Sequence, residues 1–389
     1  MGGRSERRGL AAPERRLTLR VLFFNEGNLG THIMGQGQLT EALRLGLAEV
    51  DDVEASFTGL TPMGRLAGAL AMRPLPVLGG RELDLRALRW HLAQSLRARV
   101  AIERALAGEA TDAIFVHSHS VAMTLGRLMR KQPVVLSVDV TVGDWSQMPA
   151  WRSQRPYAEA LMAPSLALER RALHNAALTV AWTGWARRSA ERAAPRARVV
   201  QHHPGLDLER YAPAPRRPRR LPRVLFVGGR FAEKGGPELI DTLAGSLGES
   251  VELDIVTPVA PPARRGVRAH QLGPTDPALL DLLQQADVMC LPTYGDAAPW
   301  AVIEAMACGT PVLSTRIGGI PDLLDDGRAG VLVEPARPRE LGEALRTLLA
   351  DEELRGTLAV RARERCEERY DARRQVPALL EQIRALTSR

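Results

Sequence analysis

A chain of 389 residues exceeds what one hydrophobic core usually holds, so we expect two domains. The composition, 45% apolar and 25% charged, is that of a globular protein, and no apolar run approaches the roughly 18 residues that cross a bilayer. The net charge is +7, but six arginines against two glutamates in the first twenty residues supply +4 of it. Because aromatic residues make up only 4% and no nucleic-acid motif is recognisable, nucleic acid is not an expected partner.

The first elements in chain order predict an α/β domain. Residues 1–19 are basic and lack the apolar core of an export signal, so we predict a disordered tail. A buried-type strand follows at residues 20–25, then a glycine-rich stretch and an amphipathic helix, LTEALRLGLAEV. A strand, a glycine-rich loop and a helix open a doubly wound α/β domain. The same opening recurs at RVLFVGG, from residue 223, and predicts a second such unit.

The middle of the first half contains a basic helix and a histidine pair. Leucines at three- and four-residue spacing predict an amphipathic helix over residues 81–106, whose arginines form a solvated face or contact an anionic membrane. A strand at residues 113–116 leads into His117 and His119. Ligands bind beyond the carboxyl ends of parallel strands, which makes a histidine there a site candidate. We assign His119 to the site and His117 to packing.

Residues 212–222, APAPRRPRRLP, separate the two units. A segment so rich in proline and arginine folds poorly, so we predict a linker there, between a first domain at 20–211 and a second at 223–376. The loop before it that contains DWSQMPAW is long enough to carry substrate contacts.

The second domain opens with two cations before a predicted helix. Arg230 and Lys234 are spaced as R-x4-K and followed by Gly235, so both side chains and a helix N-terminus can converge on a diphosphate. The chain has two lysines, Lys131 and Lys234, against fifty arginines. A lysine retained at this point indicates a need for a compact ammonium. The alternative is a pair of surface cations.

Residues 287–335 carry two acids at a strand-to-helix junction. We predict a strand at Val288–Leu291, a helix that opens at Pro299, a strand at residues 311–314, and a loop at Gly318 and Gly319. Such a junction suits an anionic ligand. Asp296 and Glu304 frame it as D-x7-E. Alternatively, Asp296 caps the helix and Glu304 is a solvated acid.

The D-x7-E pair with EAMACGTPV, the glycine pair, R-x4-K-G and the H-x-H resemble the retaining GT-B glycosyltransferases of family 4, the glycosyl transferases group 1. In that family the first acid is usually glutamate, and here it is Asp296. The resemblance implies an α/β fold of two Rossmann-like domains that face each other across a cleft. It also implies that a last helix, at 377–389, crosses back to the first domain.

The resemblance implies transfer of a sugar from a nucleotide-diphospho-sugar donor to an acceptor, with retention. Gly30, Arg230 and Lys234 would hold the diphosphate, and Glu304 the ribose. Asp296 would hold the donor sugar, and His119 would orient the acceptor or sugar. No D-x-D pattern follows an apolar strand, so we expect neither a metal nor another cofactor. The acceptor would be a saccharide, a lipid-linked molecule or a small metabolite.

Two other functions stay open. The same fold could bind a sugar nucleotide without transferring the sugar, or could epimerise it. The three cysteines form no CxxC pair, which fits a reducing cytoplasm, and the mildly basic first domain leaves peripheral contact with the inner membrane face open.

Overall fold

The computed structural model describes residues 18–25, 36–60, 63–64, 68, 75–77, 81–83, 85–152, 158–246 and 250–387. Gly30 and nearly all of the predicted N-terminal tail lie outside the described residues. The diphosphate contact predicted for Gly30 therefore stays a prediction.

The first sheet occupies the N-terminal half of the chain. Its strands are β1 (Leu19–Asn25), β2 (Val53–Gly59), β5 (Ala113–His117), β6 (Val134–Val138), β7 (Leu178–Ala181) and β8 (Val199–Gln201). They run in the order β2-β1-β5-β6-β7-β8, and every neighbouring pair is parallel. A short antiparallel pair, β3 (Leu75–Val77) and β4 (Arg81–Leu83), lies between β2 and β5 in the sequence. Central β5 and β6 are buried at every position, as in sheets covered on both faces.

The second sheet repeats this plan. Its strands are β9 (Arg223–Val227), β10 (Glu252–Val256), β11 (Val267–His270), β12 (Val288–Leu291), β13 (Val312–Thr315) and β14 (Val331–Val333). The order is β11-β10-β9-β12-β13-β14, again with parallel pairs. In each sheet the strand order reverses beside the first strand, β1 or β9. Ligands bind at such switch points in doubly wound folds.

Helices connect the strands of both sheets. In the first domain they are α1 (Gln36–Leu47), α2 (Arg86–Leu106), α3 (Gly126–Met129), α4 (Val142–Gln147), α5 (Ala158–Asn175) and α6 (Gly184–Ala193). In the second they are α7 (Gly236–Ser246), α8 (Pro277–Gln285), α9 (Trp300–Ala307), α10 (Ile320–Leu323), a 3-10 turn at Asp325–Gly327, α11 (Pro338–Ala350) and α12 (Glu352–Arg369), before the last helix, α13 (Ala372–Thr387).

One predicted helix begins later than expected. The helix predicted from residue 81 starts at Arg86, because residues 81–83 pair as β4 with β3.

The last helix crosses to the first domain, but it begins at Ala372 instead of residue 377. Pro377 lies inside it and does not interrupt it. The close approach of α13 to α1 needs Gly46, since a Cβ there would lie 2.3 Å from the Cβ of Val376. An ion pair of 3.0 Å between Arg384 and Asp52 also ties α13 to the first domain.

The segment at 212–222 is an ordered connection and not the poorly folded linker we expected. The side chain of Gln285 accepts from Arg217 N at 2.9 Å and donates to Pro215 O at 3.0 Å. Gln284 donates to Ala212 O at 2.8 Å. Two glutamines at the end of α8 therefore hold the backbone of this connecting segment against the second domain.

One buried apolar cluster links the two domains. It contains Phe23 and Phe115 of the first sheet, Val376 of α13, and Val224 of the second sheet. Leu206, Leu208 and Tyr211, in the segment that leads into the second domain, belong to the same cluster. A second cluster covers the other face of the first sheet. The core thus continues beneath the cleft and fixes where its two walls meet.

Candidate active site

A cavity of about 510 Å³ lies between the two domains. Its lining includes His117, the last residue of β5, and three residues that follow β6, β9 and β12, namely Asp139, Gly228 and Gly295. The carboxyl ends of both sheets therefore face the same space, which is where open α/β sheets bind ligands.

Glu304 lies on α9 and is buried, with 2% of its surface exposed. Its Oε1 accepts hydrogen bonds from Gln38 Nε2 at 3.2 Å and from Tyr211 OH at 3.3 Å. Burial raises the pKa of Glu304 to about 7, although both of these hydrogen bonds lower it. The alternative of a solvated surface acid is therefore wrong for Glu304, which is a desolvated carboxyl group at the cavity wall.

Asp296 and Lys234 form an ion pair at the cavity. Lys234 Nζ also donates to Gly295 O at 3.4 Å, and Asp296 Oδ1 accepts from Ala297 N at 3.1 Å. The sequence predicted both residues at the site but did not predict this pairing. It places the ammonium group directly beside the turn that precedes α9, so a cation and an acid lie side by side in the cavity wall.

The glycine pair at residues 318 and 319 supports that turn by close backbone packing. Gly318 has a φ of +58°, and a Cβ on it would lie 1.9 Å from Asp296 O. Gly319 N donates to Ala297 O at 2.8 Å. The loop after β13 therefore fixes the backbone at Asp296, and a side chain at residue 318 would displace it.

Arg230 reaches the cavity from the loop after β9. Its guanidinium carbon lies 4.5 Å from the ring centroid of Trp151, a residue of the first domain. This is a cation–π contact across the cleft. The second predicted cation is therefore also at the site, held by a residue that the sequence did not single out.

The two histidines are placed differently from the prediction. Among the described residues that line the cavity are His117 and Ser118, but not His119. His117 stacks on Trp182 with ring centroids 4.8 Å apart, and its Nδ1 contacts Ser137 Oγ at 3.2 Å. His119 instead lies edge-on to His91, 6.2 Å away. Burial lowers the pKa of His117 to about 4 and that of His119 to about 3. Both imidazoles are neutral at physiological pH, and of the two it is His117 that lines the cavity.

Tryptophan is the residue type that sequence reasoning missed most. Four of the six tryptophans line the cavity, namely Trp145, Trp151, Trp182 and Trp300. Trp182 and Trp300 come from different domains and meet edge-to-face with centroids 5.5 Å apart. The available signal was the loop of DWSQMPAW, which carries two of the four.

The described residues contain neither a metal-binding cluster nor a membrane-spanning helix. No group of three or more histidine, cysteine, aspartate or glutamate side chains there is arranged to hold a metal ion. In the same part of the chain no helix has the length and apolar character needed to span a bilayer.

Comparison with known structures defines the fold as GT-B. Sucrose-phosphate synthase from Thermosynechococcus elongatus superposes with a TM-score of 0.76 at 18% identity, over 95% of this chain and 99% of that one. HepE of Anabaena, in complex with UDP and glucose, gives a TM-score of 0.64 at 16% identity, over 94% and 100% of the two chains.

Residues 221–351 match the family model of the glycosyl transferases group 1. The D-inositol 3-phosphate glycosyltransferase of Arthrobacter sp. (strain FB24) is 29% identical over 180 residues, 40% of this chain. The match spans 42% of that relative's length. The chain thus has the GT-B fold and carries a glycosyl transferases group 1 domain, which confirms the fold and the family domain predicted from the sequence.

Proposed function

We propose that this protein is a retaining glycosyltransferase that moves a sugar from a nucleotide-diphospho-sugar to a hydroxyl group of an acceptor. One observation carries the proposal: the pair Arg230 and Lys234 and the pair Asp296 and Glu304, which come from two separate segments of the sequence, line a single cavity between the two domains. That set combines two cations with two carboxyl groups, which suits a ligand that has both phosphates and hydroxyls.

Each residue has a role in this proposal. Arg230 and Lys234 neutralise the diphosphate, so the reaction proceeds without a metal ion or another cofactor. Glu304 accepts hydrogen bonds from the ribose hydroxyls. Asp296 binds hydroxyls of the donor sugar while its turn is held by Gly318. The neutral ring of His117 then orients the sugar or the acceptor from the opposite wall.

The proposed transfer needs no reactant other than the donor and the acceptor. The acceptor oxygen forms a bond to the anomeric carbon, and the bond from that carbon to the terminal phosphate oxygen breaks. The acceptor proton moves to that same leaving oxygen, and the nucleoside diphosphate departs. Arg230 and Lys234 stabilise the negative charge that develops on the leaving group, which lowers the barrier.

The comparisons support the choice of donors and the enzymatic class. A GT-B neighbour was solved with UDP and glucose, so uridine diphosphate sugars come first in the donor panel. The curated relatives are named as D-inositol 3-phosphate glycosyltransferases, which favours transfer over binding alone or epimerisation. We accordingly include a phosphorylated cyclitol among the acceptors to be tested.

We also propose peripheral contact with an anionic membrane through α2. This helix contains five arginines and one glutamate. Two apolar side chains on it, Leu96 and Val100, are 50% and 45% exposed. An apolar strip with basic neighbours matches the surface of an anionic bilayer.

Vesicle sedimentation tests this contact. The wild type should sediment with phosphatidylglycerol vesicles but not with phosphatidylcholine vesicles. The double variant Leu96→Asp/Val100→Asp should lose this sedimentation, and the control Val360→Asp should keep it. Equal sedimentation of the double variant would contradict this contact.

The experiment for the main proposal measures thermal unfolding with UDP, GDP, ADP and dTDP sugars, then product formation with and without acceptors. A donor at 100 times its dissociation constant should stabilise the protein by about 2.7 kcal/mol. Glycosyl transfer requires that nucleoside diphosphate release depend on the acceptor. Conversion of the donor without acceptor would indicate epimerisation. Stabilisation without turnover across the acceptor panel would indicate a binding protein.

A further inference from the structure

Trp145 and Trp151 form a rigid aromatic pair in the cavity. Their rings are nearly parallel, with an interplanar angle of 10° and centroids 5.1 Å apart. Both line the cavity, and Trp145 is 38% exposed although Trp151 stacks on its ring. A tryptophan exposed to this degree inside a cleft has surface left for a ligand.

The helix that carries Trp145 is anchored at both ends of its first turn. Thr141 Oγ1 caps α4 by accepting from Asp144 N at 3.4 Å. The buried carboxyl group of Glu169 accepts from Val142 N at 2.8 Å. An ion pair between Asp144 and Arg192 holds the residue next to Trp145. Six residues of helix thus receive support from α5 and α6, so the Trp145 ring is preorganised in the free protein.

The pair lies directly beside the turn that carries Gly295 and Asp296, which holds the donor sugar in the proposed function. Ala150 N donates to Tyr294 O at 3.0 Å, which joins the tryptophan segment to the residues before Asp296. A Cβ at Gly295 would lie 2.7 Å from Trp151 Nε1, so the indole packs against the turn itself. An acceptor must reach the anomeric carbon of a sugar held at that turn. Trp145, which stacks on Trp151 and lines the same cavity, is the first-domain residue that comes after Trp151 as one moves away from this turn.

We propose that Trp145, braced by Trp151, is the acceptor-binding platform, and that the acceptor presents a ring polyol, a pyranose or a cyclitol, to it. This inference rests on the proposed function and assigns its second substrate site. A flat indole packs against the C–H groups on one face of such a ring, while the ring's hydroxyls project from its rim toward polar groups. His117 and Asp139 line the same cavity and supply such polar groups.

The chemistry of the platform separates ring acceptors from chains. An acyclic polyol offers the same hydroxyl groups but no preformed face, so it loses conformational entropy when it stacks. The favourable contact therefore depends on both the aromatic ring and the cyclic ligand. Replacing the aromatic side chain of Trp145, or replacing the cyclic ligand by an acyclic one, should weaken binding to the same extent.

The test is saturation-transfer NMR titration of the protein with myo-inositol and methyl α-D-glucopyranoside, with sorbitol as the acyclic control. Titrations are made with and without saturating UDP. The wild type should bind the ring probes about 10-fold more tightly than sorbitol. Trp145→Leu should lose that preference, Trp145→Phe should keep most of it, and Trp90→Leu, the same change outside the cavity lining, should leave it unchanged. Affinity for UDP should be equal in all four proteins.

Equal ring affinity in Trp145→Leu and the wild type would overturn the proposal, as would equal binding of sorbitol. Failure of the wild type to bind either ring probe would also overturn it. These outcomes are distinct from failure of the proposed function, which would appear as an absence of nucleotide binding and of donor turnover in the wild type.

Discussion

Gln38 Nε2 donates a hydrogen bond of 3.2 Å to Glu304 Oε1 and so joins α1 of the first domain to α9 of the second across the cleft. Tyr211, from the segment that leads into the second domain, donates to the same oxygen. One buried carboxyl group of the second domain therefore receives hydrogen bonds from the first-domain wall and from the segment that joins the domains. The pKa of this carboxyl group therefore depends on partners outside its own helix.

Donor affinity should rise between about pH 6 and pH 8, because the pKa of Glu304 is about 7 and the ionised carboxylate is the better acceptor for ribose hydroxyls. The gain should be about 10-fold, the strength of a hydrogen bond to a charged group. Glu304→Gln should bind the donor about as weakly at pH 8 as the wild type does at pH 6, with a flat profile. Calorimetric titration across this range measures the effect, with a UDP sugar as the ligand because its esterified diphosphate, unlike that of free UDP, does not titrate between pH 6 and pH 8. A wild-type profile with no slope would contradict the role of Glu304.

Tyr211→Phe should move that profile to higher pH. The Tyr211 hydroxyl lowers the pKa of Glu304, so its removal raises the pKa, and the loss of donor affinity on acidification should begin at higher pH. Gln38→Leu should act in the same direction. Tyr294→Phe removes a hydroxyl that bonds Glu238 and serves as the matched control. An unshifted midpoint in Tyr211→Phe would show that the hydroxyl does not act on Glu304.

Glu169 should make the protein less stable as the pH rises. Burial raises its pKa to about 8, from an ordinary value of 4.5. Between these values the folded state holds a proton that the unfolded chain releases, so the free energy of unfolding falls with increasing pH, by up to about 1.4 kcal/mol per unit. Glu169→Gln keeps an acceptor for Val142 N and should lose this slope.

Denaturant titrations of the wild type and Glu169→Gln at pH 5 and pH 8.5 measure the difference. The variant should be the more stable protein at the higher pH only. Exposed Glu191, changed to glutamine, is the control and should leave the wild-type slope intact. A Glu169→Gln variant with the same slope as the wild type would refute a protonated Glu169.

Gly318→Ala should destabilise the protein and weaken donor binding. Its φ is +58°, and the added Cβ would lie 1.9 Å from Asp296 O, so the turn that carries Asp296 must move. Gly327 has a φ of +101° but no atom within 4 Å of a Cβ position. Gly327→Ala should cost about 1–2 kcal/mol from backbone strain alone. Gly318→Ala should lower the free energy of unfolding by about 3–5 kcal/mol, because the clash with Asp296 O adds to the backbone strain. Equal losses in the two variants would show that the contact with Asp296 is unimportant.

Local sequence signals predicted the second-domain wall of the cavity well. Val288–Leu291 forms the expected strand, and α9 begins at Trp300, directly after Pro299. Both follow from short-range rules, an apolar run and the restricted backbone of proline. Arg230, Lys234, Asp296 and Glu304 were likewise predicted, because each lies at a fixed spacing from a strand or helix end.

The first-domain wall of the cavity depends on contacts that local rules do not describe. Residues two apart share a face in a regular strand, so alternation could not separate His117 from His119. The strand ends at His117, and Ser118 turns the chain with a φ of +84°. The pairing of Trp145 with Trp151, and of Trp151 with Arg230, joins residues through tertiary packing. The contacts that order residues 212–222 come from Gln284 and Gln285 on a later helix, which no local composition could indicate.

The most direct test of glycosyl transfer compares acceptor-dependent release of nucleoside diphosphate by the wild type, Lys234→Ala and Lys131→Ala. These two are the only lysines of the chain, and Lys131 is exposed and is not among the residues that line the cavity. The account predicts a loss of about 10²–10³-fold in turnover for Lys234→Ala, because a cation at the leaving diphosphate is removed, and wild-type turnover for Lys131→Ala. Near-wild-type turnover by a folded Lys234→Ala protein would contradict the account.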